Sequence, residues 1–339
     1  MSPTLAQSID SCRWLARRTG KNFYWSFLTL PKPMRQDMCV LYAFMRNTDD
    51  IGDNPCVPVE QRVDFLKLWR GGLEAAAGGE SPSAEELREA INRSEDFRSI
   101  ADCDKENPAQ LNHFAQLLPA VGELIRRRAI PMELFHDVIN GVESDLTPHP
   151  IGTFADLEDY CYHVAGAVGL CCIHIWGFQG EVARQQAIAC GTAFQLTNIL
   201  RDLQEDARNG RVYLPRDVLE EYGVDRSRLA DGKPDDNLRR LIQSEVQRAK
   251  GLYVSATRLL PLLSRPGQRV YAAMLDIYGG LLDEIEQRGY DVFSKRVSLS
   301  RGRKLRAAIQ GWLCPGRVAR SIARRYESGD LHSQRQRGG

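Results

Sequence analysis

No Cys-x-x-Cys pair, no apolar run long enough to span a bilayer and no strong excess of either charge occurs in this 339-residue chain. Each absence excludes something. Nine cysteines, an odd number without metal-ligand spacing, fit neither a zinc site nor a disulfide scaffold. They read as reduced thiols buried as small apolar side chains, the cytoplasmic pattern. Forty-five basic against 44 acidic residues leave a net charge of +1, which argues against a nucleic-acid partner. The longest apolar stretch, 164–178, is interrupted by His174 and several glycines. The first ten residues lack the basic and apolar regions of a signal peptide, so a cytoplasmic protein is expected, with peripheral contact at the inner membrane face left open. Alternating strand patterns are scarce. Gly-x-Gly-x-x-Gly, His-Glu-x-x-His and Gly-x-Ser-x-Gly are missing, which removes support for Rossmann, zincin and hydrolase readings. A chain that is 43% hydrophobic and 26% charged is globular rather than disordered.

What is present is helical periodicity. Met34, Met38, Leu41, Tyr42 and Met45 share one face and predict a helix over 34–48. Residues 71–82 read as a small-residue break, followed by a capping box at Ser83-Ala-Glu-Glu86. Residues 147–153 form a second break, and helices are expected from about 154, over 187–205, 241–260 and 269–288. Asn209-Gly210 stops the helix over 187–205, and 230–236 reads as a polar loop. The expectation is an all-α protein of eight to ten helices. Its domain occupies 1–300, with a basic C-terminal helix and flexible tail over 301–339.

Two acidic pairs carry the chemistry. Asp49-Asp-Ile-Gly-Asp53 and Asp202-Leu-Gln-Glu-Asp206 each place carboxylates four residues apart, on one helix face. Such carboxylates repel unless a cation sits between them. Magnesium suits, because it takes oxygen ligands and keeps waters and phosphate oxygens in its shell. Gln195, Asn198, Asp202 and Asp206 continue one polar stripe on an otherwise apolar helix. The plainer reading is a solvent-facing stripe; the sharper one is a metal and diphosphate site in a helical bundle. Asp50 points about 100° away from Asp49 and reads as surface. Arg46, Arg201, Arg208 and Arg211 flank the pairs, either as ordinary helix salt bridges or as phosphate contacts. From Arg296 onward eleven basic residues face only Glu327 and Asp330, with Leu305, Ile309, Trp312, Leu313, Val318 and Ile322 between them. That segment reads as a solvated basic helix or as one lying on an anionic membrane.

Together with Tyr42-Ala-Phe-Met-Arg46, Tyr160-Cys-Tyr-His-Val-Ala-Gly-Ala-Val-Gly169, Gly210-Arg-Val-Tyr-Leu-Pro215 and Tyr290-Asp-Val-Phe-Ser-Lys-Arg296, the acidic motifs resemble the squalene and phytoene synthases over roughly residues 19–305. The resemblance implies an isoprenoid-synthase helical bundle with a central cavity. It implies a prenyltransferase joining two prenyl diphosphates head to head (1'-1) through a cyclopropylcarbinyl diphosphate. The thirty-carbon branch from two farnesyl diphosphates is favoured; a phytoene synthase using geranylgeranyl diphosphate and a non-catalytic assembly protein are the alternatives. By position, Asp49, Asp53, Asp202 and Asp206, with Asn198, should hold Mg2+ (or Mn2+). Lys21, Arg46, Gln195, Arg211, Tyr290 and Arg296 should contact or border diphosphate. Phe23, Tyr160, Val164 and Gly169 should line the prenyl channel, Gly166 and Gly169 by leaving it room. Tyr42, Phe44, Tyr160 and Phe194 are candidate faces for carbocations. NADPH is left open, since reducing members bind it without a Rossmann domain. Pathway enzymes are further candidate partners. Thr19-Gly20 departs from the His-Ser pair of many members, and Asp137 and Asp145 have no role assigned.

Overall fold

The computed structural model describes residues 3–20, 23–80, 82–83, 85–87, 89, 108–147, 150–232 and 235–336. Among them it is all helical, with one isolated bridge between Phe178 and Leu263. The chain groups into two compact units, Met1–Tyr24 with Pro31–Thr147, and Trp25–Leu30 with Pro148–Gly339.

The first unit contains α1 (Leu5–Thr19), α3 (Lys32–Gly52), α4 (Val59–Ala77), α5 (Pro108–Arg128) and α6 (Met132–Ser144); the short α2 (Phe23–Phe27) lies at the boundary between units. Pro31 and Pro33 open α3, where a missing N–H costs nothing. Its buried face holds Phe44, which stacks on Trp69 at 5.9 Å and meets the edge of Phe135 at 4.8 Å. The Trp69 indole N–H donates to Thr48 Oγ1 at 2.9 Å, satisfying a polar group inside this ring cluster. Phe44 is thereby a packing residue. Asp37, also on α3, is fully buried and gripped from α5 by Arg127 and by Arg128, whose Nε donates at 2.8 Å. The break expected from residue 71 begins at Gly78 instead: α4 runs through Gly71 and Gly72. Gly72 packs so close to Leu118 that an added Cβ would lie 3.0 Å from it, so this glycine serves helix contact rather than a turn, while a Cβ at Gly71 would meet nothing within 4 Å. The Ser83–Glu86 capping box is present, with Ser83 N–H donating to Glu86 Oε2 at 2.5 Å and Glu86 N–H to Ser83 Oγ at 3.2 Å.

In the second unit, α7 (Phe154–Cys161) runs through a π-helical turn (Tyr162–Gly166) into α8 (Ala167–Trp176). Then come α9 (Glu181–Arg208), α10 (Arg216–Glu221), α11 (Arg226–Asp231) and α12 (Asp236–Ala256). A 3-10 turn (Thr257–Leu262) leads to α13 (Arg265–Gln287), α14 (Arg301–Leu313) and α15 (Pro315–Gln336). More α-helical segments are thus present among the described residues than the eight to ten expected, several of them short. α9 is the central rod of this unit. Phe194 stacks on Tyr278 of α13 at 4.3 Å, and Thr197 Oγ1 lies 2.9 Å from the Tyr253 hydroxyl of α12. α15 extends to Gln336, into the tail expected to be flexible. The buried thiols Cys12, Cys39, Cys161, Cys171, Cys172 and Cys190 fill core positions, and no described cysteine is in a disulfide.

Candidate active site

The first acidic pair lies at the C-terminal end of α3. Asp49 sits in the last turn, and Asp53 caps the helix by donating its N–H to the Asp49 carbonyl at 2.8 Å. Asp50, off the shared face as expected, forms an i,i+4 ion pair with Arg46 at 2.5 Å. The Asp49 side chain is reached by water yet crowded by protein. Desolvation, then the neighbouring Asp53, pushes its carboxyl up to about 7; Arg46 opposes, and Asp50 and Asp145 add to the rise. Gly52 explains how Asp145 comes to act there. A Cβ at Gly52 would lie 2.4 Å from Val142 Cγ1, so only glycine lets α6 approach this closely, and Asp145 caps α6 three residues after Val142. Asp145 is therefore a further carboxylate of this half. Its partner in the sequence comparison, Asp137, lies half-buried on α6.

The second pair lies near the C-terminus of α9. Gln195, Asn198, Asp202 and Asp206 form a half-buried stripe beside buried Phe194, Leu196, Ile199 and Leu200. Asn198 donates weakly to Gln195 Oε1 at 3.4 Å. Asp202 is held by its neighbour Arg201, whose Nε lies 3.0 Å from Oδ1 while Nη2 pairs with Oδ2. Arg296, in the loop between α13 and α14, reaches the same carboxylate at 3.0 Å and Glu205 at 3.1 Å. Arg211 donates its backbone N–H to the Asp206 carbonyl at 2.9 Å, folding the loop after Gly210 against the helix end. Acids and guanidinium groups thus alternate around one helix terminus. Because Arg296 is 60% exposed and Asp202 keeps Arg201, Arg296→Gln should change unfolding free energy by less than about 1 kcal/mol. It should raise KM for a prenyl diphosphate roughly ten-fold, the loss of one charge-assisted phosphate contact. Denaturant titration and steady-state kinetics check both, and a large stability loss with unchanged KM would make Arg296 structural.

Tyr160 on α7 is half-buried and stacks on Tyr213 at 4.8 Å with planes 21° apart. Val164 is half-buried within the π turn. The two glycines expected to leave room for a chain meet different surroundings. A Cβ at Gly166 would lie 3.2 Å from Tyr162 Cδ2 of its own turn, and one at Gly169 would lie 3.0 Å from the Ala187 carbonyl of α9, where close helix contact favours glycine. Gly191 shows the same thing more sharply, since its added Cβ would sit 2.7 Å from the main chain of Ala165 and Gly166. Tyr290 adopts a left-handed φ of 64° and hydrogen-bonds Gln243 and Glu286; burial, then Glu286, raises its phenol. Its hydroxyl is thus tied to α12 and α13. Tyr42 donates its hydroxyl to Thr19 Oγ1 at 3.1 Å. Phe194 belongs to the ring stack already described. Lys21 and the side chain of Phe23 lie outside the described residues.

Both halves fit a divalent cation with phosphate co-ligands. Asn198 Oδ1 is buried and accepts no hydrogen bond among the described residues, an oxygen beside Asp202 ready for a ligand. Asp49 is crowded by carboxylates whose repulsion a bound cation would relieve, as a proton does at lower pH. Among the described residues no three acidic, histidine or cysteine side chains already converge on one point. Pairs suffice for magnesium, which fills its octahedron with water and phosphate oxygens. The sequence singled out Asp145 without a role, which its approach to Asp49 now supplies, and Arg201 forms the salt bridge that was one of its two readings; the Tyr160–Tyr213 stack had no sequence signal.

The squalene/phytoene synthase family model matches residues 16–303. A 15-cis-phytoene synthase from Synechococcus elongatus is 33% identical over 314 residues, covering 89% of this chain and 91% of that protein. A chloroplastic phytoene synthase 2 from Solanum lycopersicum is 30% identical, covering 89% and 88%. Among solved structures, squalene synthase HpnC from Alicyclobacillus acidocaldarius superposes with a TM-score of 0.70 at 26% identity, covering 85% of this chain and 96% of that one. A dehydrosqualene synthase superposes at 0.74 with 24% identity, covering 91% and 96%, which shows the shared fold.

Proposed function

Because the chain belongs to the squalene/phytoene synthase family of head-to-head prenyltransferases, we propose that it joins two farnesyl diphosphates into the thirty-carbon cyclopropylcarbinyl diphosphate. The observation that supports this best is the interleaving of Asp202 and Glu205 with the guanidinium groups of Arg201 and Arg296, beside Asp206, at one end of α9. Carboxylates there hold cations and guanidinium groups hold phosphate oxygens, the two requirements of a diphosphate leaving group.

Asp49 with Asp53, and Asp202 with Asp206 and Asn198, are the residues that would hold Mg2+. When bound, magnesium supplies neutralisation of the charge that develops on departing diphosphate. Arg46, Arg211 and Arg296 would contact that diphosphate through bidentate guanidinium groups. As the allylic carbon–oxygen bond breaks, positive charge appears on carbon, and the stacked faces of Tyr160 and Tyr213 offer the negative quadrupole that such a cation needs. The double bond of the second substrate attacks, one new carbon–carbon bond forms, and proton loss closes the ring. One diphosphate and one proton leave, and no electron donor is consumed. Conversion onward to squalene would need hydride from a reduced nicotinamide, which is no part of this proposal.

A second reading, a forty-carbon product from two geranylgeranyl diphosphates, is favoured by one observation: phytoene synthases are 30–33% identical over about nine-tenths of the chain. Incubation with each diphosphate and magnesium, with and without NADPH, followed by mass spectrometry decides between them. Presqualene diphosphate from farnesyl diphosphate is the expected result. Phytoene would establish the second reading, and linear chain-elongated diphosphates alone would overturn both.

A further inference from the structure

We propose that the outer face of α14, with the arginine row that follows on α15, docks onto an anionic phospholipid bilayer. α14 is built inside out for a helix in water. Its small residues Ala307, Ala308 and Gly311 are buried, and a Cβ at Gly311 would sit 2.7 Å from the Ala273 nitrogen of α13. Its bulky apolar residues face outward: Leu305, Ile309, Trp312 and Leu313 are 46, 49, 49 and 60% exposed. Spacings of four, three and one gather these four into a single stripe, and exposed Arg301 and Arg306 lie on its two borders. Leaving four large apolar side chains in water forfeits burial that any packed partner would recover.

Charge identifies the partner. Residues 301–327 hold eight basic side chains and one acid, Glu327. Arg303 and Arg325 are tied to Glu284 and Asp283 of α13. On α15, exposed Arg317, Arg320, Ser321, Arg324 and Arg325 line one open groove. A second copy of this chain would bring the same positive field against itself, whereas phosphate headgroups complement it. An apolar stripe one helix face wide suits the headgroup–acyl boundary. No described helix is long and apolar enough to cross a membrane.

Sedimentation of the full chain with vesicles of phosphatidylcholine alone, or mixed with phosphatidylglycerol, tests this without turnover. Binding is expected to the mixed vesicles and to fall at high salt. Arg317→Gln with Arg320→Gln should weaken it about thirty-fold, at ~1 kcal/mol per basic residue. Leu305→Ser with Trp312→Ser should abolish it. A vesicle-induced blue shift of tryptophan emission should be present in the parent and absent in Trp312→Phe, a variant that keeps the packing. All substituted side chains are exposed, so circular dichroism should be unchanged. No binding to the mixed vesicles, or equal binding by the Leu305/Trp312 variant, overturns the proposal. So does a dimer in light scattering that this variant dissociates, which would assign the stripe to a second copy.

Discussion

Asp49→Asn should slow turnover of prenyl diphosphate with magnesium by about a hundred- to a thousand-fold, the usual loss when one preorganised electrostatic group is removed. The same variant should melt higher than the parent in metal-free buffer at pH 8. Both follow from one arrangement. Desolvation and the carboxylates of Asp53, Asp50 and Asp145 raise the Asp49 pKa from 3.8 to about 7, against the pull of Arg46. Folded protein therefore keeps a proton that the unfolded chain releases near 3.8. Stability falls as pH rises between those values, and above 7 the ionised carboxylate carries the whole unfavourable difference. Asparagine removes the charge and keeps the shape. Its advantage in Tm should be absent near pH 4, grow through the window and be complete by pH 8. Magnesium should reverse the order by stabilising the parent more than the variant, which keeps the α9 pair of carboxylates but not the α3 pair, through mass action on the folded state. Calorimetry with chelator and with magnesium reads all of this; a parent as stable as the variant at pH 8 with chelator would mean the carboxylates do not strain one another.

Asp37→Ala should cost about 3–5 kcal/mol of unfolding free energy, although Asp37 lies outside both motifs. Its carboxylate is fully buried and closes two ion pairs from α5, to Arg127 and Arg128. Removing it strands two guanidinium groups beside an apolar helix contact. Arg127, 42% exposed, can turn to water; Arg128, 23% exposed, has less freedom. Arg127→Gln alone should therefore cost much less than Asp37→Ala. Denaturant titration measures both, and a loss below about 1 kcal/mol in Asp37→Ala would show that the buried charge never contributed. The kcat of folded Asp37→Ala should match the parent, which separates this aspartate from Asp49.

Helical periodicity made the long helices and both acidic pairs readable, because a stripe at three- and four-residue spacing survives in any single sequence. What it could not register has identifiable causes. α2, α10 and α11 are five or six residues long, too short to display a period. Gly71-Gly72 looked like a break because glycine costs helix propensity, and only the close approach of Leu118 shows why the helix continues. Adjacent residues on a helix do not face each other, yet Arg201 is long enough to fold onto Asp202. Arg296 is almost a hundred residues from Asp202 in sequence, and nothing local announces their pairing. The π turn after Tyr160 adds one residue per turn to the path and leaves no mark in a 3.6-residue pattern.

At Gly191 the main chain of α9 rests on the main chain of Ala165 and Gly166. A distance fixed between backbones is blind to the exchange of one side chain for another. Residues around it can drift over long evolutionary times while the spacing between the Tyr160 segment and the helix of Asp202 stays constant. Variation around this contact should therefore be permissive in composition and intolerant at Gly191, where even one methyl group would act as a wedge.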